Sequence, residues 1–285
     1  MKLKRTNKKN EMKYYTILGL LLLSISSVAQ YTPEPPQIKK YENGKEYFNS
    51  YLDDTKDLIT SPFRWTKKDW IIAGTTVGIG AIVYAFDDNI RDLIQKNRTD
   101  FANTFLDNVA EPFGKGLYAI PIVTGLYLHG TIANNEKSKR VAMDAVKTYV
   151  LTVATVAVMK YTFKRHRPHH NVETDPRKWD GPFGDSQYKS FPSGHTAVAF
   201  SLATYFSLAY KDKLWVGITS YTMASLVGFQ RIHSDNHWAS DVLFGAVIGW
   251  SIGKLVFNKS LEKHNITLLP VSQHGIGLTL VKTFK

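Results

Sequence analysis

The sequence contains no cysteine. A chain without thiols forms neither disulfide bonds nor a thiolate metal site, so any stability or metal chemistry must come from other groups. The sequence also lacks an internal repeat and a glycine-rich phosphate loop. GTTVGIGA at 74–81 superficially resembles a dinucleotide-binding motif, but no strand precedes it. Small residues within an apolar helix explain this stretch better.

Acidic residues are scarce relative to basic ones, with 24 Asp and Glu against 36 Lys and Arg and a net charge of +12. Residues 1–13 hold six basic residues and one acidic residue, and so supply about +5 of that charge. The remaining excess of about +7 suits an anionic substrate or an anionic lipid surface. A generally basic surface would give the same charge, so charge alone does not separate these interpretations.

The N-terminal residues resemble an export signal. A basic start is followed by YYTILGLLLLSISSVAQ, a short apolar stretch that ends in small residues. This order predicts a secretory signal peptide over residues 1–29, cut near Ala29. The alternative is an uncleaved membrane anchor. Either way, the chain is predicted to enter an export pathway.

Long hydrophobic runs are also missing, because each apolar segment is near or below the length that crosses a bilayer. Their content of Gly, Ala, Ser and Thr suits close helix packing in a membrane bundle. A soluble all-helical protein with fully buried helices remains the alternative, and the negative mean hydropathy is compatible with it. The segments span residues 71–86, 117–133, 141–159, 196–210, 214–229 and 242–257.

Flanking regions differ from this apolar core in composition. Residues 30–69 are polar, begin with the stiff, proline-rich YTPEPPQ and include a predicted short amphipathic helix, YFNSYLDDTKDLI. The core domain is predicted over residues 70–257. In the tail, 258–285, apolar and polar residues alternate around SQHG, which predicts a short C-terminal β-hairpin.

Loop charges predict an orientation. The basic loops at 134–140 and 211–213, and the lysine-bearing end after residue 254, share one side of a six-span arrangement. The positive-inside rule makes that side cytoplasmic, so the loops at 87–116, 160–195 and 230–241 face the periplasm. A cleaved signal peptide would invert this count, because it leaves the mature N-terminus outside. The number of spans therefore stays open.

The first polar cluster, KYTFKRHRP, ends the third apolar segment. Lys160 and Arg167 are seven residues apart, and Pro168 ends any helix there. Two cations directed at one point suit a phosphate group, with Lys as a point charge and Arg as a bidentate fork. The alternative is a basic rim at a membrane interface. The neighbouring residues are predicted to form that rim: Lys164, Arg165, His166, His169 and His170.

The second cluster, FPSGHT, starts the fourth apolar segment. Free backbone N–H groups and the helix dipole at such a start bind anions. Gly194 allows close backbone approach, Ser193 adds a hydroxyl donor, and His195 lies where it can give a proton to a leaving oxygen. The alternative is an ordinary capped helix with an incidental histidine.

The third cluster, QRIHSDNHWASD, separates the last two apolar segments. Asp241 follows His237 by four residues, so on a helix it can orient the imidazole and leave the other ring nitrogen as a nucleophile. Arg231 adds a third cation. A structural His–Asp pair is one alternative. A metal site with His233 is another, but its further ligands are missing and the nearby cations would repel a metal ion.

Together the clusters resemble the signature of the type 2 phosphatidic acid phosphatase (PAP2) superfamily, which is Lys-x6-Arg-Pro, Pro-Ser-Gly-His and Ser-Arg-x5-His-x3-Asp. Order and internal spacings match over about 80 residues, and the surrounding apolar helices extend the resemblance to roughly residues 70–257. One position departs from the signature, because Gln230 stands where the family has Ser. Gln230 either replaces that hydrogen bond or only fills space. The matching motifs are Lys160-x6-Arg167-Pro168, Pro192-Ser193-Gly194-His195 and Arg231-x5-His237-x3-Asp241.

The resemblance implies an all-α, PAP2-type helical bundle with five or six membrane-embedded helices. It also implies hydrolysis of a phosphate ester through a phosphohistidine, without a metal or other cofactor. His237 would attack phosphorus, Asp241 would orient His237, and His195 would protonate the leaving group. The phosphoryl oxygens would be held by Lys160, Arg167, Ser193, Gly194 and Arg231.

A lipid phosphatase or lipid pyrophosphatase is the expected function, with a phosphorylated lipid and membrane lipid as partners. The expected location is the bacterial cell envelope, as an integral membrane protein with a periplasm-facing site. Candidate substrates are phosphatidic acid, phosphatidylglycerol phosphate, undecaprenyl pyrophosphate and lipid A. The alternatives are a soluble periplasmic acid phosphatase, a vanadate-dependent haloperoxidase and a catalytically dead lipid-phosphate-binding protein. Nucleic-acid binding by KRHRPHH does not fit an exported, lipid-facing chain.

Overall fold

The structure is a computed structural model that describes residues 35–170, 175–184, 189–261, 265–271 and 277–283. The predicted signal peptide, residues 1–29, lies outside the described residues, as does the first part of the proline-rich segment.

Every apolar segment predicted from the sequence lies on a helix, which confirms the helical fold class. Within the described residues the helices are α1 (Gly44–Thr60), α2 (Lys67–Ala85), α3 (Asp87–Lys96), α4 (Asp100–Phe105), α5 (Glu111–Gly114), α6 (Ala119–Ile132), α7 (Glu136–Phe163), α8 (Gly194–Ala209), α9 (Leu214–His233) and α10 (Ala239–Ser260). A π-helical turn, Leu106–Ala110, joins α4 to α5. The predicted hairpin is present as β1 (Asn265–Val271) and β2 (Gly277–Thr283), which pair antiparallel.

Two of the described helices, α7 and α10, are long and apolar enough to cross a bilayer. The pair α2 and α3 passes the same test when taken together, although it is bent by 56° at Phe86. α6 is apolar but shorter, with 14 residues. Large apolar side chains are exposed on α2, α6 and α7, as expected where lipid covers a helix surface.

Helices α8 and α10 pack closely because a row of glycines on α10 faces the backbone of α8. Gly245, Gly249 and Gly253 recur every four residues, and so lie on one face. A Cβ atom at any of them would lie closer than 3.0 Å to a backbone oxygen of α8. Small residues in such a row let two apolar helices approach at backbone distance. The three facing oxygens belong to Ser193, Ala197 and Ser201.

The amphipathic helix predicted at 47–59 is confirmed as α1, and it belongs to the bundle rather than to a free linker. The side chain of Asn43 caps it by accepting from the Glu46 backbone N–H at 2.9 Å. The backbone N–H of Lys39 donates to the carbonyl of Ser260 at the end of α10. The N-terminal segment is therefore fixed to the end of the bundle where α10 finishes.

Buried ion pairs join α1 to the start of α7. The Lys147 ammonium lies 2.7 Å from Asp54 and 3.4 Å from Asp144, and Arg140 donates to Asp144 at 2.7 Å. All four side chains are almost fully buried. From Lys147, α7 continues for thirteen residues to Lys160, about 20 Å at the helical rise. The three predicted phosphate-binding clusters lie at that opposite end.

We expect Gly249→Ala to destabilise the bundle, because the added methyl group would collide with the backbone of α8. Overpacking of this kind costs about 1–3 kcal/mol. Gly125→Ala on α6 is the matched control, since no atom lies within 4 Å of its added Cβ. Thermal unfolding of both variants in detergent measures the difference. Equal melting temperatures would show that the glycine row does not limit the approach of α8 and α10.

Candidate active site

Four helix ends converge at one end of the bundle and carry the predicted site residues. Lys160 lies in the last turn of α7, and Gly194 and His195 lie in the first turn of α8. Arg231 lies in the last turn of α9, and Asp241 lies in the first turn of α10. Arg167, Ser193 and His237 lie in the loops that join these helices. The structure thus brings the three clusters together at this end of the bundle.

The imidazole of His237 faces a carboxylate and a hydroxyl in a buried site. Its Nδ1 lies 3.6 Å from Asp241 Oδ2, an ion-pair separation, and 3.4 Å from Ser190 Oγ. The Ser190 hydroxyl donates its own proton to Asp241 Oδ2 at 2.5 Å, so its oxygen is an acceptor towards the ring. Two acceptors beside Nδ1 favour the tautomer with the proton on Nδ1. Nε2 then keeps its lone pair.

Asp241 also organises the start of its own helix. Its Oδ2 accepts from the backbone N–H of Trp238 at 3.1 Å, as an acidic residue at the third helical position does in a capping box. Its backbone carbonyl accepts from the N–H of Ser193 at 3.0 Å. The start of α8 is therefore hydrogen-bonded to the start of α10.

The predicted basic rim is wrong for Arg165, which is fully buried. Its Nη1 donates to Asp241 Oδ1 at 2.6 Å, and its Nη2 donates to Asp87 Oδ2 at 2.7 Å. Its Nε donates to the carbonyl of Pro176 at 3.0 Å. Sequence alone could not separate Arg165 from its basic neighbours. The backbone pairing of Arg165 with Trp179 turns the side chain inward, and that pairing joins residues 14 positions apart.

Two further members of the predicted rim are also buried. Lys164 donates to the carbonyls of Pro182 and Gly184 at 3.0 and 2.6 Å, and His166 Nε2 lies 3.0 Å from Asp180. Both side chains thus hold the loop after α7 together instead of facing lipid headgroups. Of the remaining pair, His169 is exposed, and the side chain of His170 lies outside the described residues.

Asp87 was missed by the sequence analysis. Its carboxylate accepts from the Ser240 backbone N–H at 2.9 Å and from the Ser240 hydroxyl at 2.5 Å, in addition to Arg165. The N–H groups of a first helical turn have no partner within the helix, and here a residue from another helix satisfies one of them. The sequence signal was an acidic pair, Asp87 and Asp88, directly after an apolar run.

The predicted phosphate-binding cations differ in how far the protein already satisfies them. Lys160 Nζ donates to the carbonyls of Lys189 and Ser190 at 2.5 and 3.3 Å. Arg167 is half-buried, and none of the described residues forms a hydrogen bond or ion pair with it. Arg231 Nη2 is buried and makes no hydrogen bond to a described residue. Both guanidinium groups therefore have donors available for an anion.

Gln230 supports Arg231 from behind. Its side-chain oxygen accepts from Arg231 Nε at 2.5 Å, and its amide nitrogen donates to Asp107 at 3.0 Å. Glu111 lies 3.5 Å from Arg231 Nη2 on the same side. The departure from the family signature therefore coincides with a bridge in which Gln230 hydrogen-bonds both to Asp107 of the π-helical turn and to Arg231.

The start of α8 has room for a methyl group at Gly194. A Cβ on Gly194 would lie 3.5 Å from Val156 and 3.7 Å from the Cε of Lys160, both ordinary contacts. Packing with the protein therefore does not require glycine here, whereas close approach of a ligand would. The Ser193 hydroxyl is fully buried and lies 2.8 Å from the Thr196 hydroxyl. A role for Ser193 in anion binding stays a prediction.

Burial changes the protonation of His237. Loss of hydration lowers the pKa of His237 to about 3, and the bond to Asp241 only partly opposes this effect. The ring is therefore neutral at pH 7 in the unliganded protein, which keeps the lone pair of Nε2 available. The unfolded chain would bind a proton near pH 6.5. His237 thus contributes a loss of stability as the pH falls from about 6.5 towards 3.

The metal alternative placed His233, His237 and Asp241 around one ion. Among the described residues, no group of three or more His, Asp or Glu side chains is arranged to hold a metal ion. His233 is buried, packs against Phe229 and has an Nε2 without a partner among the described residues.

Comparison with known proteins agrees with the motif analysis. Residues 141–264 match the model of the PAP2 superfamily. The match covers the residues that carry the three motifs, which confirms the resemblance seen there.

The chain is also similar to curated phosphatases. It is 35% identical over 183 residues to a lipid A 1-phosphatase from Porphyromonas gingivalis, covering 63% of this chain and 36% of the relative. It is 23% identical over 141 residues to an undecaprenyl-diphosphatase from Sulfolobus acidocaldarius, covering 48% and 61%. The chain thus spans between about a third and three fifths of the length of these relatives. Among solved structures, LpxE from Aquifex aeolicus matches with 26% identity and a TM-score of 0.44, covering 60% of this chain and 93% of the other.

We expect Gly194→Ala to weaken anion binding without destabilising the fold. Its methyl group meets only ordinary contacts and adds helix propensity, so stability should stay equal or rise by up to about 1 kcal/mol. The same methyl group occupies space beside Lys160, so the dissociation constant for orthovanadate should rise about tenfold, equivalent to about 1.4 kcal/mol. Titration calorimetry with vanadate measures this change. Unchanged affinity would place the anion away from the start of α8.

Proposed function

We propose that this protein is a membrane-embedded phosphatase that removes phosphate from a lipid phosphate or lipid diphosphate through a phosphohistidine intermediate, without a metal ion. The observation that carries the proposal is the geometry around His237. A buried neutral imidazole, oriented by Asp241, lies at the end of the bundle where a helix N-terminus and two arginines with donors available for an anion also meet.

In the first step His237 is the nucleophile. The lone pair of Nε2 forms a bond to phosphorus while the bond between phosphorus and the lipid oxygen breaks. His195 gives a proton to the departing oxygen. In the unliganded protein, burial lowers the pKa of His195 to about 4, so protonation of its ring depends on the negative charge of the bound phosphate. The phosphorylated imidazole is cationic, and the fixed carboxylate of Asp241 compensates that charge. In the unliganded protein the 3.6 Å separation leaves room for this contact to shorten.

The second step releases phosphate. Neutral His195 accepts a proton from a water molecule whose oxygen attacks phosphorus from the side opposite His237. The nitrogen–phosphorus bond breaks, inorganic phosphate leaves, and His237 returns to its neutral form while His195 is again protonated. Each step conserves protons, so the cycle needs no further reactant besides water.

The cations bind the charge that the phosphoryl oxygens carry. Lys160, Arg167 and Arg231, with the Gly194 N–H and the Ser193 hydroxyl, are the proposed donors. Fixed donors in a water-poor site stabilise a transition state more than they would in water, and removing one costs about 2–4 kcal/mol in comparable sites. Gln230 positions Arg231 and does not itself bind the substrate in this proposal.

A lipid substrate is supported by an apolar cavity of about 740 Å³ between α6, α8 and α9. Its lining reaches Phe113 and Val227, and both residues neighbour Gly114, which lies against the ring of His195. Along α9 the lining runs from Lys213 to Val227, about 21 Å at the helical rise, and its end away from the site also includes Lys137 and Asp212. An acyl chain that starts at the site would fit along it.

We place the site on the periplasmic side of the membrane. The basic loop around residues 134–140 and the lysines at 211–213 lie at the other end of the helices that carry the site, where the positive-inside rule favours the cytoplasm.

Phosphate release from purified protein in detergent tests the function. The substrate panel consists of lipid A, undecaprenyl diphosphate, phosphatidic acid and phosphatidylglycerol phosphate, with p-nitrophenyl phosphate as the soluble comparison. We expect turnover of at least one lipid in the presence of EDTA, and a loss of about 10⁴-fold or more in His237→Ala because the nucleophile is missing.

His169→Gln is the matched control, since it removes an exposed histidine at the same end of the bundle, and its turnover should match the wild type. Equal rates for the wild type and His237→Ala would refute the proposal. Turnover of the soluble ester alone would instead indicate a general acid phosphatase, and lipid binding without turnover would indicate a binding protein.

A further inference from the structure

We infer that Arg165 and Asp87 are positioning residues for the nucleophile, and that the corner between α2 and α3 is part of the active site. This inference rests on the proposed function. It adds Arg165, which occupies an unspecified position within the first motif, and Asp87, which lies outside the three motifs and 78 positions before Arg165.

Hydrogen bonds from Arg165 link Asp241 to Asp87. Arg165 bridges two carboxylates with separate nitrogens, Nη1 to Asp241 and Nη2 to Asp87, and all three side chains are fully buried or nearly so. Ser240 closes the assembly, because its hydroxyl accepts from Arg165 Nη1 at 2.8 Å and donates to Asp87 at 2.5 Å. Oδ1 of Asp241 and both carboxylate oxygens of Asp87 are thus hydrogen-bonded.

Hydrogen bonds to both oxygens fix the orientation of the Asp241 carboxylate. Arg165 occupies Oδ1, whereas Ser190 and Trp238 donate to Oδ2, the oxygen that faces His237. A guanidinium on one oxygen and a backbone N–H on the other leave the carboxylate no freedom to rotate about χ2. The orientation of the His237 ring therefore depends on the position of Arg165.

The net charge of the triad Asp87, Arg165 and Asp241 also suits a cationic intermediate. Asp87 and Asp241 carry two negative charges and Arg165 carries one positive charge, so the buried triad has a net charge of −1. Without Asp87, the positive charge of Arg165 would cancel the negative charge of Asp241 that stabilises an imidazolium at His237. The carboxylate of Asp87 neutralises Arg165 instead, so the triad is suited to stabilise the cationic phosphohistidine.

The surroundings hold the guanidinium rigidly. Aromatic rings of Tyr84, Trp179 and Trp238 lie 4.9, 4.9 and 5.5 Å from its central carbon. Tyr84 belongs to the end of α2, and the 56° bend at Phe86 brings Asp87 next to the start of α10. The corner between α2 and α3 thus supplies both an aromatic contact and the second carboxylate.

The test compares Asp87→Asn and Arg165→Lys with the wild type. Asp87→Asn keeps the shape of the side chain, so we expect a folded protein whose kcat falls about 10- to 100-fold, a range typical of residues that orient a functional group. KM for the lipid and the vanadate inhibition constant should change less than about threefold, because the phosphate-binding cations are untouched. Guanidinium added to Arg165→Ala should restore part of the lost kcat.

Arg140→Lys is the matched control, because Arg140 pairs with Asp144 in an equally buried ion pair at the other end of the bundle. If Arg165 acts only through stability, both arginine variants will lower the melting temperature and neither will lower kcat selectively. That result, or a parallel rise in KM and vanadate constant in Asp87→Asn, would overturn the inference.

A readout without turnover separates this inference from the proposed function. In protein labelled with ¹⁵N-histidine, the Nδ1 and Nε2 shifts of His237 should show one tautomer in the wild type and a tautomer mixture in Asp87→Asn. If the wild type hydrolyses no phospholipid, the proposed function fails while the shift comparison still tests the triad. Identical His237 shifts in both proteins would overturn the inference even in an active enzyme.

Discussion

The carboxylate of Asp241 is the group on which the rest of the site depends. It is fully buried, and a charge in such a place is tolerated only when donors surround it. Those donors come from three different segments: the loop after α7, the loop before α8 and the start of α10. Satisfying one carboxylate therefore fixes the positions of the elements that carry Arg165, Ser190 and His237.

The glycine row on α10 makes that convergence geometrically possible. Gly245 lies beside the carbonyl of Ser193, one helical turn after Asp241, so the closest backbone approach of α8 and α10 occurs directly next to the site. The hydrogen bond from the Ser193 N–H to the Asp241 carbonyl completes the same contact. The same backbone contact thus sets both the packing of α8 against α10 and the geometry of the site.

At the other end of the bundle, the buried pairs of Lys147 with Asp54 and Asp144 fix α1 to α7 without touching the site.

Much of the site could be predicted because the residues proposed to bind phosphate have fixed spacing within short motifs. Lys160 and Arg167, or His237 and Asp241, stand close in sequence, so local geometry brings them together. Arg165 could not be predicted in the same way, since its neighbours Lys164 and His166 carry similar charge and only the pairing with Trp179 directs it inward. Asp87 and Asp107 were invisible for a different reason. They reach the site through tertiary contacts across more than 120 residues, to Ser240 and Gln230.

The most direct test is to trap the covalent intermediate. His195→Asn should still be phosphorylated by p-nitrophenyl phosphate, whose leaving group needs little protonation, but should hydrolyse the intermediate slowly because no base activates water. After an alkaline quench, which preserves phosphohistidine, mass spectrometry should find phosphate on His237 and none in His195→Asn/His237→Ala. A phosphorylated residue other than His237, or turnover without any phosphorylated protein, would contradict the account.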